Sequence, residues 1–228
     1  MTIDSVDNKK IKNIRKLNQK KYRDETNEFL VEGIHLVREA YKEGLLKEVI
    51  LEENEEIDFK VDTTYVTYNV IKSISSLDTP YKIIGVCKKK EEKEINGNVL
   101  ILDGLQDPGN LGTIIRSAVA FNVDTIILSK DTVDLYNPKV VRSTQGMNFH
   151  INIIRRDLEN EINALKEKGY TVYSTDVING KNIKNVKVNG KYAIIMGNEG
   201  NGIRPAIEAF VNEKLYIPNY PEGRDTSE

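Results

Sequence analysis

The sequence has 228 residues, of which 39% are hydrophobic and 30% charged, and its net charge is only −2. This length fits one large domain or two small ones, and the near-neutral charge excludes a protein that is basic throughout. A single cysteine, Cys87, excludes a disulfide framework and a CxxC zinc site. No apolar run reaches the roughly 18–20 residues that cross a bilayer, and the polar start is not a secretory signal. We therefore expect a protein of the reducing cytoplasm that uses neither membrane nor metal.

The most basic part of the chain is residues 9–23, which hold eight Lys or Arg side chains and no acidic one. Apolar residues recur there near helical spacing, at Ile11, Ile14, Leu17 and Tyr22, which predicts one helix with a packed side. Its other side would present cations that attract phosphate, although a purely solvated helix face is the alternative. The candidate phosphate-binding residues are Lys9, Lys10, Lys12, Arg15, Lys16, Lys20, Lys21 and Arg23.

Short strands and helices follow this segment. Apolar runs predict strands at 28–31, 47–51, 64–67 and 83–86, with helices after Gly33 and within 70–77. We expect these elements to form a small α/β domain over residues 1–90. Residues 91–97 combine charged side chains with Asn-Gly and lack apolar periodicity, which is typical of a linker.

A second domain is predicted from residue 98 to residue 228, where strands and helices alternate regularly. The predicted strands are at 99–103, 125–129, 149–154, 171–175, 192–196 and 214–217. The predicted helices are at 110–121, 138–145, 157–168 and 203–210. Such alternation favours an α/β fold with a parallel sheet and helices on both of its faces.

The loop after the first strand of this domain is the most informative part of the sequence. Pro108 fixes one backbone angle there and Gly109 allows a tight turn before a helix begins. Asn110 is a candidate site residue, although an N-cap would explain it too. Arg116 is a lone cation among apolar neighbours on that helix, and open α/β sheets bind ligands at such loops. We expect Arg116 to meet an anion, with a surface arginine as the alternative.

A second loop of this kind follows the strand at 192–196. Gly197, Gly200 and Gly202 allow a ligand to approach the backbone closely, and Glu199 lies among them. The spacing does not fit a dinucleotide fingerprint, because no acidic residue follows about 20 positions later. Between the two loops, Arg142 and Ser143 are candidate substrate contacts, although capping and packing explain most of their segment.

Three blocks in this order carry a family resemblance: residues 102–118, residues 196–202, and a block that begins with Ile217-Pro218. Together they resemble the SpoU (TrmH) family of RNA ribose 2′-O-methyltransferases, in the SPOUT class. Residues 29–33 and Thr79-Pro80 are similar to landmarks of the substrate-binding domain of that family.

The resemblance implies an α/β knot in the C-terminal domain, S-adenosylmethionine as cofactor, a homodimer, and ribosomal RNA, 23S rRNA first, as substrate. The implied catalytic residues are Arg116, Asn110 and Glu199. The implied cofactor-binding residues are Met196, Gly197, Gly202, Ile217 and Pro218. RNA would contact the basic segment together with Arg142 and Ser143. Because a guanidinium keeps its proton, Arg116 would hold phosphate and stabilise the developing alkoxide of the attacking 2′-oxygen.

The third block departs from the family pattern. Where the family continues into Ser-Leu-Asn-Val-Ser and a final helix, this sequence ends at residues 225–228. We therefore expect a C-terminally truncated methyltransferase domain with an incomplete knot. The missing block leaves one alternative open, an RNA-binding protein that has lost its cofactor. A second alternative, a methyltransferase that acts on transfer RNA, stays open because the sequence does not identify the modified nucleotide.

Overall fold

The computed structural model describes residues 2–177 and 179–218, and its contacts divide the chain into two compact units. The first unit consists of Met1–Glu92, Asp107–Ser117 and Val133–His150. The second consists of Lys93–Gln106, Ala118–Thr132 and the described residues from Ile151 onward. Each unit draws on several stretches of chain, and the sequence-based division at 91–97 stays a prediction.

The first unit is built on a mixed four-stranded sheet. Its elements are α1 (Lys9–Lys16), α2 (Lys20–Thr26), β1 (Glu28–Glu32), α3 (Ile34–Lys42), β2 (Leu46–Glu52), β3 (Asp62–Val66), α4 (Tyr68–Ile74), β4 (Ile83–Lys88), most of α5 (Pro108–Ala120), and α6 (Pro138–Thr144). The strand order is β1-β4-β2-β3, with β4 antiparallel to both neighbours and β3 parallel to β2. Side chains alternate along a strand, so neighbouring residues of β1 belong to two different core clusters. Leu30 packs in one cluster with Ile11 and Ile71, and Phe29 packs in the other with Val141 and Phe149.

The basic segment forms two helices rather than the single one predicted. Helix α1 ends at Lys16, and Gln19 is extended, with a φ of −101°. The Asn18 side chain donates a hydrogen bond to the carbonyl oxygen of Ile74 at 2.7 Å, so a contact with a distant residue accompanies the break. The expected packed side is confirmed at Ile11, Ile14 and Leu17, which are buried.

The second unit is built on a parallel sheet of seven strands, which confirms the predicted α/β class. Its elements are β5 (Val99–Leu102), β6 (Thr125–Leu128), β7 (Asn152–Arg155), α7 (Leu158–Glu167), β8 (Thr171–Asp176), β9 (Lys181–Asn182), β10 (Tyr192–Met196), α8 (Pro205–Glu208) and β11 (Glu213–Tyr216). Ile162 and Leu165 of α7 and Ile207 of α8 form one core with Ile101 and Ile195 of the sheet. No described helix is long and apolar enough to cross a membrane.

The strand order of this sheet is β7-β6-β5-β10-β8-β11-β9, and it indicates a candidate ligand site. From β5 the chain moves outward to β6 and β7, whereas β8 and β11 lie on the other side of β10. Open parallel sheets bind ligands at such a reversal, beside the carboxyl ends of the strands. Leu102 and Met196 are paired there, so the loops that follow them, residues 103–107 and 197–204, both begin at this point.

Candidate functional site

The helix after β5 is capped by Asp107 and not by Asn110, the residue that also fitted a cap in the sequence. The Asp107 carboxylate accepts a hydrogen bond from the backbone N–H of Asn110 at 2.8 Å, and Pro108 occupies the first helical position. Helix α5 therefore begins two residues earlier than predicted. Asn110 lies in its first turn, with its side chain on the surface.

Arg116 lies in the second half of α5, and its side chain is exposed. Its guanidinium makes no hydrogen bond or ion pair with any residue that the structure describes. The adjacent Ile115 is fully buried, so the helix is held by its apolar side while Arg116 faces solvent. A surface cation on a packed helix keeps all its donors available for an anionic ligand.

Helices α5 and α6 meet at Gly112, which lies one turn before Arg116. A Cβ atom at Gly112 would lie 2.2 Å from the Cβ of Ser143 and 2.8 Å from its carbonyl carbon. Glycine is therefore required for this approach. The Ser143 hydroxyl donates to the carbonyl oxygen of Lys139 at 2.8 Å, so this predicted substrate contact already serves the packing of α6.

Arg142, the other predicted contact on α6, is also engaged within the first unit. Its Nη1 donates to Ser76 Oγ at 2.5 Å and lies 3.5 Å from the carboxylate of Glu32. Glu32 is buried and accepts hydrogen bonds from the Ser75 hydroxyl and from the backbone N–H of Ser76, the latter at 3.0 Å. The arrangement ties α6 to the end of β1 and to the loop after α4.

The loop after β10 folds back on itself. Asn198 and Gly202 exchange two backbone hydrogen bonds of 2.9 Å, and the Asn198 side chain accepts from the N–H of Gly200 at 2.9 Å. A Cβ atom at Gly197 would lie 2.1 Å from the carbonyl carbon of Gly202, so only glycine fits. Gly202 has a φ of +67°, a conformation that glycine adopts without strain.

Two further residues of the second unit, Asp103 and Arg204, were missed in the sequence. The Asp103 carboxylate, which is 0% exposed, accepts hydrogen bonds from Nε of Arg204 at 2.8 Å and from its backbone N–H at 2.9 Å, and it forms an ion pair with Nη2 of Arg204 at 2.5 Å. The side-chain hydrogen bond to Asp103 raises the pKa of Arg204 above its ordinary value. The pKa of Asp131 is lowered, first by a hydrogen bond from Ser129 and less by nearby Arg204. In the sequence, the only signal of the Asp103–Arg204 pair was that Asp103, an acidic residue, lies at the end of a predicted strand.

Glu199 lies at the tip of the loop after β10 and is exposed. One carboxylate oxygen is 3.5 Å from the backbone nitrogen of Gln106, which follows β5. Glu199 thus lies beside the first loop within the second unit. The other two predicted catalytic residues, Asn110 and Arg116, belong to the first unit and share one helix.

The predicted cofactor residues fit a ligand that has both apolar and polar groups. Met196 is the last residue of β10 and Ile217 directly follows β11, and these two apolar residues are 38% and 61% exposed. Beside them Gly202 has open space where a Cβ atom would lie, whereas the corresponding space at Gly197 is filled by the backbone of Gly202, which closes the loop. An adenosyl group needs such apolar contacts and backbone partners. Among the described residues no three His, Cys, Asp or Glu side chains are grouped to hold a metal ion. The expected truncation at 225–228 lies outside the described residues.

The basic segment lines an open groove of about 700 Å³ between α1 and α2. Its walls include Lys9, Arg15 and Lys16, with Tyr22 at one end. Arg23 differs from the expectation: its side chain is 4% exposed and pairs with Asp134 at 2.5 Å, while it donates to the carbonyl oxygen of Leu17. The burial of Arg23 removes it from the cations that face solvent.

Several of the exposed lysines have acidic partners on the surface. The pairs are Lys10–Glu48 at 2.5 Å, Lys12–Asp7 at 2.8 Å, Lys20–Asp24, and Lys21–Glu25 at 3.8 Å. The acidic partners Asp7, Asp24 and Glu25 are exposed, and exposed pairs of this kind contribute little stability, whereas Glu48 is only 14% exposed.

Two family models match the chain. The model of the SpoU rRNA Methylase family matches residues 97–224, and that of the MRM3-like substrate binding domain matches residues 8–85. The first match includes α5, both loops and β11. The second includes the basic segment and most of the four-stranded sheet.

Individual proteins are similar over almost the whole chain. The 23S rRNA (guanosine(2553)-2′-O)-methyltransferase RlmP of Bacillus subtilis is 39% identical over 227 residues, which is 97% of this chain and 92% of the relative. The crystal structure of an rRNA methyltransferase from Sinorhizobium meliloti has a TM-score of 0.86 at 28% identity and covers 100% of this chain and 93% of that one. An AdoMet-bound rRNA methyltransferase structure from the same organism has a TM-score of 0.82 at 27% identity, with the same coverage.

Proposed function

Because this chain belongs to the SpoU rRNA methylase family, we propose that it transfers a methyl group from S-adenosylmethionine to a ribose 2′-hydroxyl of 23S ribosomal RNA. The observation that carries this proposal is the 39% identity, over 97% of the chain, to the B. subtilis enzyme for guanosine 2553. The corresponding guanosine is the first nucleotide to test. The match to a substrate-binding domain supports an RNA partner for the first part of the chain.

The cofactor would be held by the second unit. Met196, Ile217 and Pro218 would supply apolar contacts, and Gly197 and Gly202 would let the backbone approach it. S-adenosylmethionine supplies a methyl group that its sulfonium already activates. The task left to the protein is to orient two groups in line and to exclude water, which is why positioned side chains matter more here than a strong base.

Three side chains would act on the RNA. The exposed guanidinium of Arg116 would bind a phosphate next to the reacting ribose and stabilise negative charge on its 2′-oxygen. Asn110 would hydrogen-bond the ribose, and Glu199 would accept a hydrogen bond from a hydroxyl or amine of the substrate. A phosphate oxygen or a water molecule would take the proton, because Arg116 keeps its own.

RNA would be gripped by the exposed cations of the basic segment. Lys9, Arg15 and Lys16 line one groove, and Lys10, Lys12, Lys20 and Lys21 can exchange their acidic partners for phosphate. Arg23 is left out of this surface because it is buried. Arg142 and Ser143 stay predictions as RNA contacts, and the bonds they make within the first unit favour a role in packing.

Assembly and location belong to the same proposal. Membership in the family supports an α/β knot around the cofactor and a homodimer. A ribosomal RNA substrate supports a cytoplasmic location, where that substrate is made and modified.

The test is methyl transfer to defined RNA. Purified protein is incubated with tritiated S-adenosylmethionine and unmodified transcripts of 23S rRNA, 16S rRNA and transfer RNA, and label is mapped by alkaline hydrolysis. Because a 2′-O-methyl group blocks cleavage at its own nucleotide, the product appears as an alkali-resistant dinucleotide. Label at the guanosine that matches position 2553 supports the proposal. Label only in transfer RNA, or RNA binding without label, would establish one of the two alternatives instead.

A further inference from the structure

We propose that Asp103 and Arg204 are positioning residues that hold the cofactor loop, defined as residues 197–203, in its binding shape. Neither residue is among the predicted catalytic or cofactor-binding residues. The inference rests on the proposed function for the identity of the ligand. The contact between Asp103 and Arg204, called the latch below, lies within the second unit. It concerns residues that act through the loop and need not touch the cofactor.

The first argument is the geometry of the pair. Both hydrogen bonds that the Asp103 carboxylate accepts in the described structure come from Arg204, one from Nε and one from the backbone N–H, and Nη2 forms an ion pair with the same carboxylate. Asp103 directly follows β5, and its own N–H donates to the carbonyl oxygen of Met196 at 2.9 Å. Asp103 therefore forms hydrogen bonds at both ends of the cofactor loop, with Met196 before it and with Arg204 after it.

The second argument is a further hydrogen bond between the cofactor loop and the residues that follow β5. The Asn198 side chain donates from Nδ2 to the carbonyl oxygen of Gly104 at 2.9 Å, while its Oδ1 accepts from Gly200 and Asn201 within the loop. Gln106 also donates to Gly104, and its backbone nitrogen faces Glu199. The residues that follow β5 thus contact the loop at Asn198 and Glu199.

The third argument is the composition of the loop. Gly197, Gly200 and Gly202 give it high conformational freedom, and the helix that follows, α8, has only four residues. A short helix is marginal by itself, so it cannot fix the loop. A flexible loop must be ordered when a ligand binds, which weakens affinity, whereas a loop ordered beforehand avoids that loss. Asp103 and Arg204 provide this prior order.

The exposure of the Arg204 side chain determines which variants can test the latch. The Arg204 side chain is 49% exposed, so Arg204→Ala removes the latch without opening a cavity in the core. Arg204→Lys keeps the charge but cannot reproduce both guanidinium contacts, the Nε hydrogen bond and the Nη2 ion pair, so its loop exchange and cofactor affinity should lie between those of Arg204→Ala and the wild type. Lys181→Ala is the matched control, because it removes an exposed ion pair, Lys181–Glu213, from the same unit.

The first measurement is hydrogen exchange of the full-length protein without ligand. In Arg204→Ala, we expect amides of residues 198–204 to exchange at least about tenfold faster, while amides of β10 stay protected as in the wild type. This readout needs neither cofactor nor activity, so it tests the latch even if the proposed function fails. Exchange at 198–204 equal to that of Lys181→Ala would overturn the inference.

The second measurement is calorimetric titration with S-adenosylmethionine. Arg204→Ala should weaken binding by about tenfold, and Asp103→Asn by a similar factor, with RNA affinity unchanged. Because both act through one contact, the double variant should lose about tenfold and not about one-hundredfold. Additive losses, or unchanged cofactor affinity in Arg204→Ala, would refute the role assigned to the pair. Failure of the wild type to bind the cofactor would instead count against the proposed function.

Discussion

The two loops that follow β5 and β10 begin side by side, but they are stabilised in different ways. The loop after β5 leads into a helix of 13 residues whose first turn is capped by Asp107. The loop after β10 closes on itself through Asn198 and Gly202 and leads into a helix of four residues. At the far end of that loop, Arg204 donates two long-range hydrogen bonds to the Asp103 carboxylate.

The difference separates two ways of building a site. A capped helix with a buried apolar side is rigid by itself, so it can present one side chain, Arg116, to a substrate. A glycine-rich loop presents backbone groups, but it has to be ordered by contacts from outside. The first loop should therefore be sensitive to loss of a side chain, and the second to addition of one.

The largest expected effect is loss of the Arg116 guanidinium. In Arg116→Ala, we expect kcat to fall by about a thousandfold, since a positioned charge that stabilises an oxyanion contributes on that scale. Because Arg116 has no described partner, the urea midpoint should not move. Steady-state methylation measures the change, and Ser117→Ala, exposed on the same helix, is the control. A methylation rate close to that of the control would exclude this role.

The next effect is a side chain added to the second loop. Gly197→Ala would place its Cβ 2.1 Å from the backbone of Gly202, which cannot move while the loop stays closed, so we expect affinity for S-adenosylmethionine to fall by about a hundredfold. Gly200→Ala is the matched control, because its Cβ would meet only the Asn198 side chain, at 3.7 Å. Calorimetry of the two variants gives the comparison. Equal affinities would mean that the closed shape of the loop is irrelevant to binding.

A smaller effect is expected where α5 packs on α6. Gly112→Ala forces the two helices apart at Ser143, and overpacking of this kind costs about 2 kcal/mol of unfolding free energy. Urea denaturation followed by circular dichroism measures it, again with Ser117→Ala as reference. Stability equal to that of the reference would show that α6 can shift freely.

The smallest effect distinguishes Asp107, which caps α5, from Asn110, which is the proposed substrate contact. Asp107→Ala should cost about 1 kcal/mol of stability, because the N–H of Asn110 loses its acceptor. Asn110→Ala should leave stability within about 0.5 kcal/mol while lowering kcat, since Asn110 is exposed and is not the cap. Thermal melts and methylation rates of both variants decide the assignment. If Asn110→Ala were the less stable of the two, the cap would have to be reassigned.

The sequence predicts the regular elements better than it predicts the contacts between them. Strand β10 begins and ends as expected, because its apolar run is bounded by polar and glycine residues. Strand β9, with two residues, carries no pattern that could be recognised. The cap of α5 was ambiguous because Asp107 and Asn110 are both favourable cap residues.

Charged residues were the hardest to interpret. Arg23 looks like its basic neighbours, and only Asp134, 111 residues later, shows that it is buried. Asp103 and Arg204 are 101 residues apart, so nothing local announces their pairing. Residue type and spacing therefore predict both candidate loops, whereas the partners that orient those loops are seen only in the folded structure.

The interrupted path of the chain through the first unit has a consequence for biosynthesis. Phe29 packs its ring against Tyr136 and Phe149, with centroid distances of 4.7 and 6.1 Å, so part of this core is supplied by residues made much later. A nascent chain that has just passed Glu92 would still expose that aromatic surface. The unit should then mature late during translation, after the ribosome has released His150, and until then it would be a target for chaperones and proteases.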